Sequence, residues 1–315
     1  MPRKFSLFSS LGIALSLIAI LFGALGPATA QADPIPAAVA YLQANQQADG
    51  GITGFSGASD PDTTARAVLG LVAAGQPLAA LTSASGLTLL DYLAAQAPAY
   101  THDSAGLLYP GRAGLLLSAV AVAGGQPQPF GGMDLLSELE ATFHWSTGEY
   151  STAASGEFSS GAASDLSQAW ALLGLSLAGQ PVPAPAVGYL LGAQSPDGSW
   201  GSMDPDTTAL AVSALLATGQ VQPSDPAVTN ALIFFHRTQL ANGGWRPAWD
   251  TDPLNADSTA WILQALYAAG EDLTTWAATE GEPVAALAGL QKPDGSIGGT
   301  YANTYSTAEA LLGLA

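Results

Sequence analysis

Two short phrases recur along this chain with a shared period of about fifty residues, and a repeat of that length leaves few folds open. The first reads Asp62-Thr-Thr-Ala…Gly75-Gln76-Pro77, then Asp206-Thr-Thr-Ala…Gly219-Gln220 and Asp257-Ser-Thr-Ala…Gly270-Glu271. Weaker copies begin at Arg112 and Leu166, and a last one at Tyr305 runs to Ala315. Successive starts lie 50, 54, 40, 51 and 48 residues apart. The second phrase, Gln-x3-Gly, falls between these copies at Gln46, Gln194, Gln239 and Gln291, with degenerate forms at Gln96 and His144. Together they mark six units, at about 35–77, 85–127, 132–181, 184–221, 226–271 and 282–315.

Each unit reads as a helix pair. The first helix is amphipathic, as in Ile35 to Gln46, Leu87 to Gln96 and Ala227 to Gln239. It stops at an Asp-Gly or Asn-Gly, where glycine supplies the left-handed backbone that a helix end needs. The second is apolar all round: Ala65 to Ala74, Ala169 to Ala178, Ala209 to Thr218 and Ala260 to Ala269. A helix without a polar face must be buried on every side, so the second helices form an inner ring and the first an outer one. Small residues recur at fixed heights on the inner helices, with Ala65, Ala169, Ala209, Ala260 and Ala308 at one level and Gly70, Gly174 and Gly313 at another. They let neighbouring helices approach closely. The expected architecture is all-α, a closed α/α toroid (an α6/α6 barrel) of six helix pairs with parallel inner helices. An open solenoid is the alternative; closure is preferred because neither terminal unit shows a polar capping face.

The residues also carry a resemblance. Gln194-Ser-Pro-Asp-Gly-Ser-Trp200 and Gln239-Leu-Ala-Asn-Gly-Gly-Trp245 resemble the QW repeats of squalene and terpene cyclases, with shorter versions at Gln46 and Gln291. Asp60-Pro-Asp-Thr-Thr-Ala65 and Asp204-Pro-Asp-Thr-Thr-Ala209 resemble the DxDDTA stretch that carries the catalytic acid of class II terpene cyclases. The resemblance spans residues 35–315 and implies the α/α toroid those cyclases share with protein prenyltransferases, complement-type thioester domains and the helical domain of cobalamin carriers. It further implies that Asp62 or Asp206, the middle Asp of the motif, is the general acid that protonates an alkene. Two features depart from the family. Its next Asp is Thr63 or Thr207 here, and no residues are left for the second helical domain that encloses the substrate of a typical cyclase. A fold shared by enzymes and binders does not by itself assign an activity.

An Asp ahead of helix formers is also what an N-cap looks like, since its carboxylate accepts backbone N–H bonds and suits the positive helix end. Recurrence in several units favours the cap reading of Asp62, Asp206 and Asp257, because one catalytic acid would suffice. With parallel inner helices, Asp62, Asp165, Asp206 and Asp257 are expected to surround one mouth of the ring. Four residues beyond each phrase start the ring reads Arg66, Leu116, Trp170, Leu210, Trp261 and Glu309, a varied layer of the kind a site grafted onto a scaffold shows. Arg66 and Glu309 become neighbours only on closure, and are expected to pair across the seam. Trp170 and Trp261, grouped with Gln264 and Tyr267, are expected to wall a cavity for apolar or cationic ligands. Plain core packing with one structural ion pair is the alternative.

Composition removes whole classes of activity. The chain has no Cys, which excludes disulfides, thioester chemistry and the Asp, Cys and His zinc site that the prenyltransferase resemblance would need. His102, His144 and His236 fall in three different units, which disfavours a histidine metal site. Asp250, Asp252, Asn255 and Asp257 offer oxygen ligands of the sort Ca²⁺ takes, at spacings unlike an EF-hand; the reading is no metal and no cofactor. Glu138, Glu140, Glu149 and Glu157 are the carboxylates a toroidal glycosidase or lyase would draw on. Seven Lys and Arg against 25 Asp and Glu exclude a basic face for nucleic acid and disfavour anionic lipid surfaces.

At the amino end, Arg3 and Lys4, the apolar run Leu11 to Leu25 and Ala28-Thr-Ala30 read as a secretory signal peptide over residues 1–30. The mature chain over 31–315 is therefore expected outside the cell, without a membrane span. The last inner helix stops shorter than its siblings, which leaves open a further carboxyl-terminal domain. The combined reading is a secreted toroid that binds a small apolar molecule or an extracellular protein partner without turning it over. Acid-catalysed isoprenoid cyclisation through Asp62 or Asp206 is the alternative.

Overall fold

A computed structural model describes residues 33–152 and 163–315, so the leader expected over 1–30, like Glu157, lies outside the described residues. Twelve α-helices follow one another in six pairs among the described residues. The first members are α1 (Ile35–Ala44), α3 (Leu89–Thr101), α5 (Leu135–Glu140), α7 (Ala184–Gly192), α9 (Pro226–Thr238) and α11 (Pro283–Ala288). The second members are α2 (Pro61–Ala73), α4 (Pro110–Val122), α6 (Ala163–Leu177), α8 (Pro205–Ala217), α10 (Ala256–Ala269) and α12 (Thr304–Leu314). A two-stranded antiparallel hairpin, β1 (Phe143–His144) and β2 (Glu149–Tyr150), joins the helices of the third pair. None of these helices is long and apolar enough to cross a membrane.

Each second-member helix packs on the next, from α2 on α4 through to α10 on α12, and α12 returns to pack on α2. The inner helices thus form a ring whose end meets its start. The repeat glutamine stitches its periphery. Gln46, Gln194, Gln239 and Gln291 each donate from Nε2 to the carbonyl of the glycine four residues on. The same nitrogen reaches a carbonyl of the following unit, at Leu87, Ala227, Trp276 and, across the seam, Pro34 at 2.7 Å. One side chain therefore closes its own turn and holds the neighbouring unit. The glycines of these turns, Gly50, Gly198, Gly243 and Gly295, have φ between +91° and +93°, which other residues adopt only under strain. In the third unit His144 stands in the glutamine position, and the buried Gln168 of α6 makes both bonds instead, to Gly148 and Ala186.

The second Thr of the other phrase has a matching role. Thr64, Thr208, Thr259 and Thr307 accept the backbone N–H of Ile52, Trp200, Trp245 and Ile297, anchoring each incoming loop to its inner helix. Buried Trp200 and Trp245 then donate their indole N–H to Leu190 and Phe235 carbonyls on the preceding outer helix. A side chain of that size, once its N–H is paired, wedges the two helices of a unit apart at a fixed spacing.

The helix ends differ from the sequence expectation in one consequential way. Inner helices begin earlier, with Pro61 and Pro205 in the first position, where a missing N–H costs nothing. The caps are Asp60, Asp204, Asn255 and Asn303, each accepting from the N–H three residues on. Asp62, Asp206 and Asp257 are therefore not caps; they are the second residue of α2, α8 and α10. A smaller departure is α3, which runs through Pro98 to Thr101 because Leu89, Leu93, Ala97 and Tyr100 keep a buried face past Gln96.

Close helix approach shows at Gly70, where an added Cβ would lie 2.3 Å from the Ala308 carbonyl oxygen of α12. In an open helix Gly→Ala gains up to about 1 kcal/mol of propensity, whereas overpacking costs about 1–3 kcal/mol. Since the obstructing atom is backbone, Gly70→Ala is expected to lower stability in urea melts. A variant more stable than the parent would show that α2 and α12 do not approach so closely.

Candidate functional site

The amino-terminal ends of the inner helices converge on a cavity of about 170 Å³. Its walls follow from the helix repeat, because residues four apart share a face. One layer brings Leu166, Asp206, Asp257 and Tyr305 to the cavity; the layer one turn further on brings Trp170, Leu210, Trp261 and Glu309. In each case the pair is i, i+4 on the same helix. Arg66 joins the second layer, and Asp204 and Thr207 complete the lining.

Arg66 is the electrostatic hub. Buried on α2, it donates from Nε to Asp62 Oδ1 at 2.6 Å and from Nη1 to Glu309 Oε1 on α12. The expected seam pair is thus present, with Asp62 as a third member. The guanidinium carbon lies 4.7 Å from the Tyr305 ring centroid, 5.5 Å from Trp170 and 6.0 Å from Trp261. The two tryptophans meet edge to face, with centroids 5.5 Å apart. Asp62 also accepts from the Tyr100 hydroxyl at 2.8 Å. Burial pushes the Asp62 carboxyl up, but the Arg66 charge and the hydrogen bonds from Arg66 and Tyr100 outweigh it, so it stays below the ordinary carboxylate value and ionised.

Asp206 is held differently. Desolvation first, then the Asp204 carboxylate and more weakly Asp257, push its carboxyl up to about 8 against the opposing pull of the Ser258 hydroxyl and the Arg66 charge. Its Oδ1 is shielded from water without a hydrogen-bond partner, as are Asp257 Oδ1 and Ser258 Oγ among the described residues. Desolvation raises Asp257 as well, and carries Glu309 to about 8 against the attraction of Arg66. A carboxyl with such a value is mostly protonated at neutral pH. Asp62, outside the lining, is thus firmly ionised against Arg66, whereas the lining itself carries two carboxyls raised to about 8, Asp206 and Glu309, of which Glu309 is bonded to Arg66 and Asp206 has no hydrogen bond at Oδ1.

This arrangement has a measurable consequence for stability. Folded Asp206 keeps, up to about pH 8, a proton that the unfolded chain releases near pH 4, so its contribution to stability is complete at low pH and lost as pH rises through about 8. Asp206→Asn, which mimics the neutral acid, is expected to gain melting temperature on the parent between pH 5 and pH 9, by about 2–4 °C per kcal/mol. A difference that stays flat across that range would mean Asp206 titrates normally.

Other expected site residues lie elsewhere. Gln264 donates from Nε2 to the Leu312 carbonyl, tying α10 to α12, and Tyr267 packs against the core outside the cavity. Tyr267 turns away from the face that Asp257 and Trp261 share, whereas Gln264, seven positions past Asp257, keeps that direction but lies two turns along the helix, beyond the lining. Asp165 accepts the Gly201 N–H at 3.2 Å, and its neighbour Leu166 lines the cavity instead, occupying the phrase position on α6. Of the oxygen residues 250–257, Asp250 accepts from the Asp252 N–H and from Asn255, which also caps α10, whereas Asp257 faces the cavity. No trio of acidic or His side chains suited to a metal occurs among the described residues. Sequence reasoning missed Tyr305, although it stands at the same phrase position as Asp206, and it missed Asp204 and Thr207.

No known protein family matches the sequence, and no curated protein matches it. Solved structures do. A variant of the type II terpene cyclase MstE from Scytonema, in complex with its substrate geranylgeranyl dihydroxybenzoate, aligns with a TM-score of 0.61 at 17% identity, over 95% of this chain and 98% of that one. The ent-copalyl diphosphate synthase from Streptomyces platensis aligns at 0.55 and 21% identity, over 82% of this chain and 52% of that one. A glycosidase variant aligns at 0.54 and 14% identity, over 94% and 96%. At these identities the likeness is one of fold: over most of its length the chain has the α/α-toroid architecture of type II terpene cyclases.

Proposed function

We propose that this protein is an acid-initiated isoprenoid cyclase in which Asp206 donates the proton. The observation that carries the reading is the unpartnered, shielded Oδ1 of Asp206, a carboxyl that keeps its proton to about pH 8 in a cavity walled by Trp170, Trp261 and Tyr305. A general acid works best when its pKa lies near the working pH.

The reaction follows from that placement. The Asp206 O–H bond breaks as its proton adds to a terminal alkene carbon, and the π pair becomes the new C–H bond. A tertiary cation is left on the adjacent carbon, and the π pair of an internal alkene closes the ring onto it. Loss of a proton from the final cation to a basic oxygen restores an alkene. The tryptophan and tyrosine faces attract the cation as it forms. Arg66, fixed by Asp62 and Glu309, contributes positive potential that favours the Asp206 carboxylate left behind. Thr207, where the family motif carries its next Asp, bonds to Asp204 at 2.5 Å and so orders the rim.

Binding without turnover accounts for the aromatic walls and leaves the protonated acid without a use. The likeness itself does not depend on a second helical domain, since the alignment takes in 98% of a type II terpene cyclase chain. Of the carboxylates a glycosidase would draw on, Glu138, Glu140 and Glu149 stand outside the cavity, with Glu138 paired to His102 at 3.1 Å. With the leader read over residues 1–30, the site of action proposed is outside the cell. Incubation of the purified protein with farnesol and squalene between pH 5 and 8, followed by mass spectrometry, is expected to yield cyclic product. No product from any isoprenoid over that range would overturn the reading.

A further inference from the structure

We infer that the substrate taken by this cavity is an isoprenoid without an anionic headgroup, such as a prenyl alcohol or hydrocarbon, and not a prenyl diphosphate. This rests on the cyclase reading of the same cavity and goes further by naming the substrate class.

The distribution of basic residues carries it. Beyond residue 30 the sequence has five, Arg66, Arg112, Arg237, Arg246 and Lys292, and residues 153–162 add none. Among the described residues Arg66 alone of these lines the cavity, and its guanidinium is already committed to Asp62 and Glu309. Arg112 lies over the Tyr109 and Tyr100 rings, Arg237 pairs with Asp197 on the outer layer, and Arg246 donates to the Asp252 carbonyl. Against them the lining presents Asp204, Asp206, Asp257 and Glu309. A diphosphate brought here would find no free basic partner, would be repelled by the chain's formal net charge of −18, and as an anion buried unpaired would cost several kcal/mol.

Size fixes how much of the chain the cavity encloses. A cavity of about 150 Å³ holds one benzene, so the 170 Å³ here encloses about one five-carbon isoprene unit. The rest of a prenyl chain must lie along the mouth. The loops preceding α2, α8, α10 and α12 expose Phe55, Met203, Trp249 and Tyr301, between 53% and 79% accessible. The Phe55 ring sits 5.5 Å from that of Tyr305, so an exposed apolar side chain adjoins the cavity wall. Such a surface receives hydrocarbon well and phosphate badly.

Farnesol and farnesyl diphosphate, which differ only at the headgroup, make the test. Binding to the parent protein is measured by calorimetry at 50 and 500 mM salt, and turnover by mass spectrometry. Farnesol is expected to bind at least about tenfold tighter at low salt, with the gap narrowing as salt screens the repulsion, and it alone is expected to be cyclised. A diphosphate that binds as tightly, or is cyclised as fast, overturns the headgroup inference and leaves the cyclase reading standing. The expected binding ratio without any cyclic product does the reverse. Failure of both compounds to bind removes both.

Discussion

Asp206→Asn is expected to lower cyclisation of a prenyl substrate by about 10²–10⁴-fold, the usual contribution of a positioned general acid, with farnesol affinity within a factor of two. Asn keeps the shape of the neutral carboxyl and has no acidic proton to give. The parent enzyme should also lose activity as pH rises past about 8, where Asp206 ionises. Asp62 makes the contrast. Its carboxylate is bound by Arg66 and Tyr100 and is already ionised, so it has no proton to donate. Asp62→Asn should cost stability through the loosened Arg66 and should leave measurable turnover. If Asp62→Asn abolished product at an unchanged melting temperature while Asp206→Asn still cyclised, the assignment of the acid would be reversed.

Arg66→Leu is expected to produce the largest loss of stability, about 3–5 kcal/mol, as breaking a buried ion pair from one side does. Asp62 would then sit ionised beside an apolar side chain, and Glu309 would lose its partner. The loss should shrink towards pH 5, because both carboxyls can take up protons in the folded variant, and grow above pH 8, where neither escapes its charge without cost. Adding Glu309→Gln to Arg66→Leu should recover part of the deficit, giving a positive coupling energy in a double-mutant cycle. Urea melts of the four proteins at pH 5, 7 and 8.5 measure this. Additive effects below 1 kcal/mol would show that the seam pair contributes little to closing the ring.

Much of the architecture was legible because it repeats. Six copies of two phrases reveal their helices by period alone, and the all-apolar second helices can only be interior. The seam pair was legible by the same logic: Arg66 and Glu309 occupy equivalent positions in the first and last units, and a ring makes them neighbours. Less legible was the phase of each inner helix. The sequence alone allows Asp60 or Asp62, and Asp204 or Asp206, to cap, since both are Asp near a helix start. Pro in the first position settles it for the earlier residue, a local signal that was present and outweighed by the recurrence of the later Asp.

The sequence by itself determined the repeat, the division into inner and outer helices and the residue types of the varied layer, because each depends on spacing along one chain. Only the tertiary structure decided that Asp62 stays charged while Asp206 keeps its proton, although both stand in the same Asp-Pro-Asp-Thr-Thr-Ala context. Charge state depends on which groups approach and how much water is removed, and here those groups come from α2, α3, α8, α10 and α12. Two identical segments meet different neighbours around a closed ring, and that difference in surroundings separates a structural carboxylate from a candidate acid.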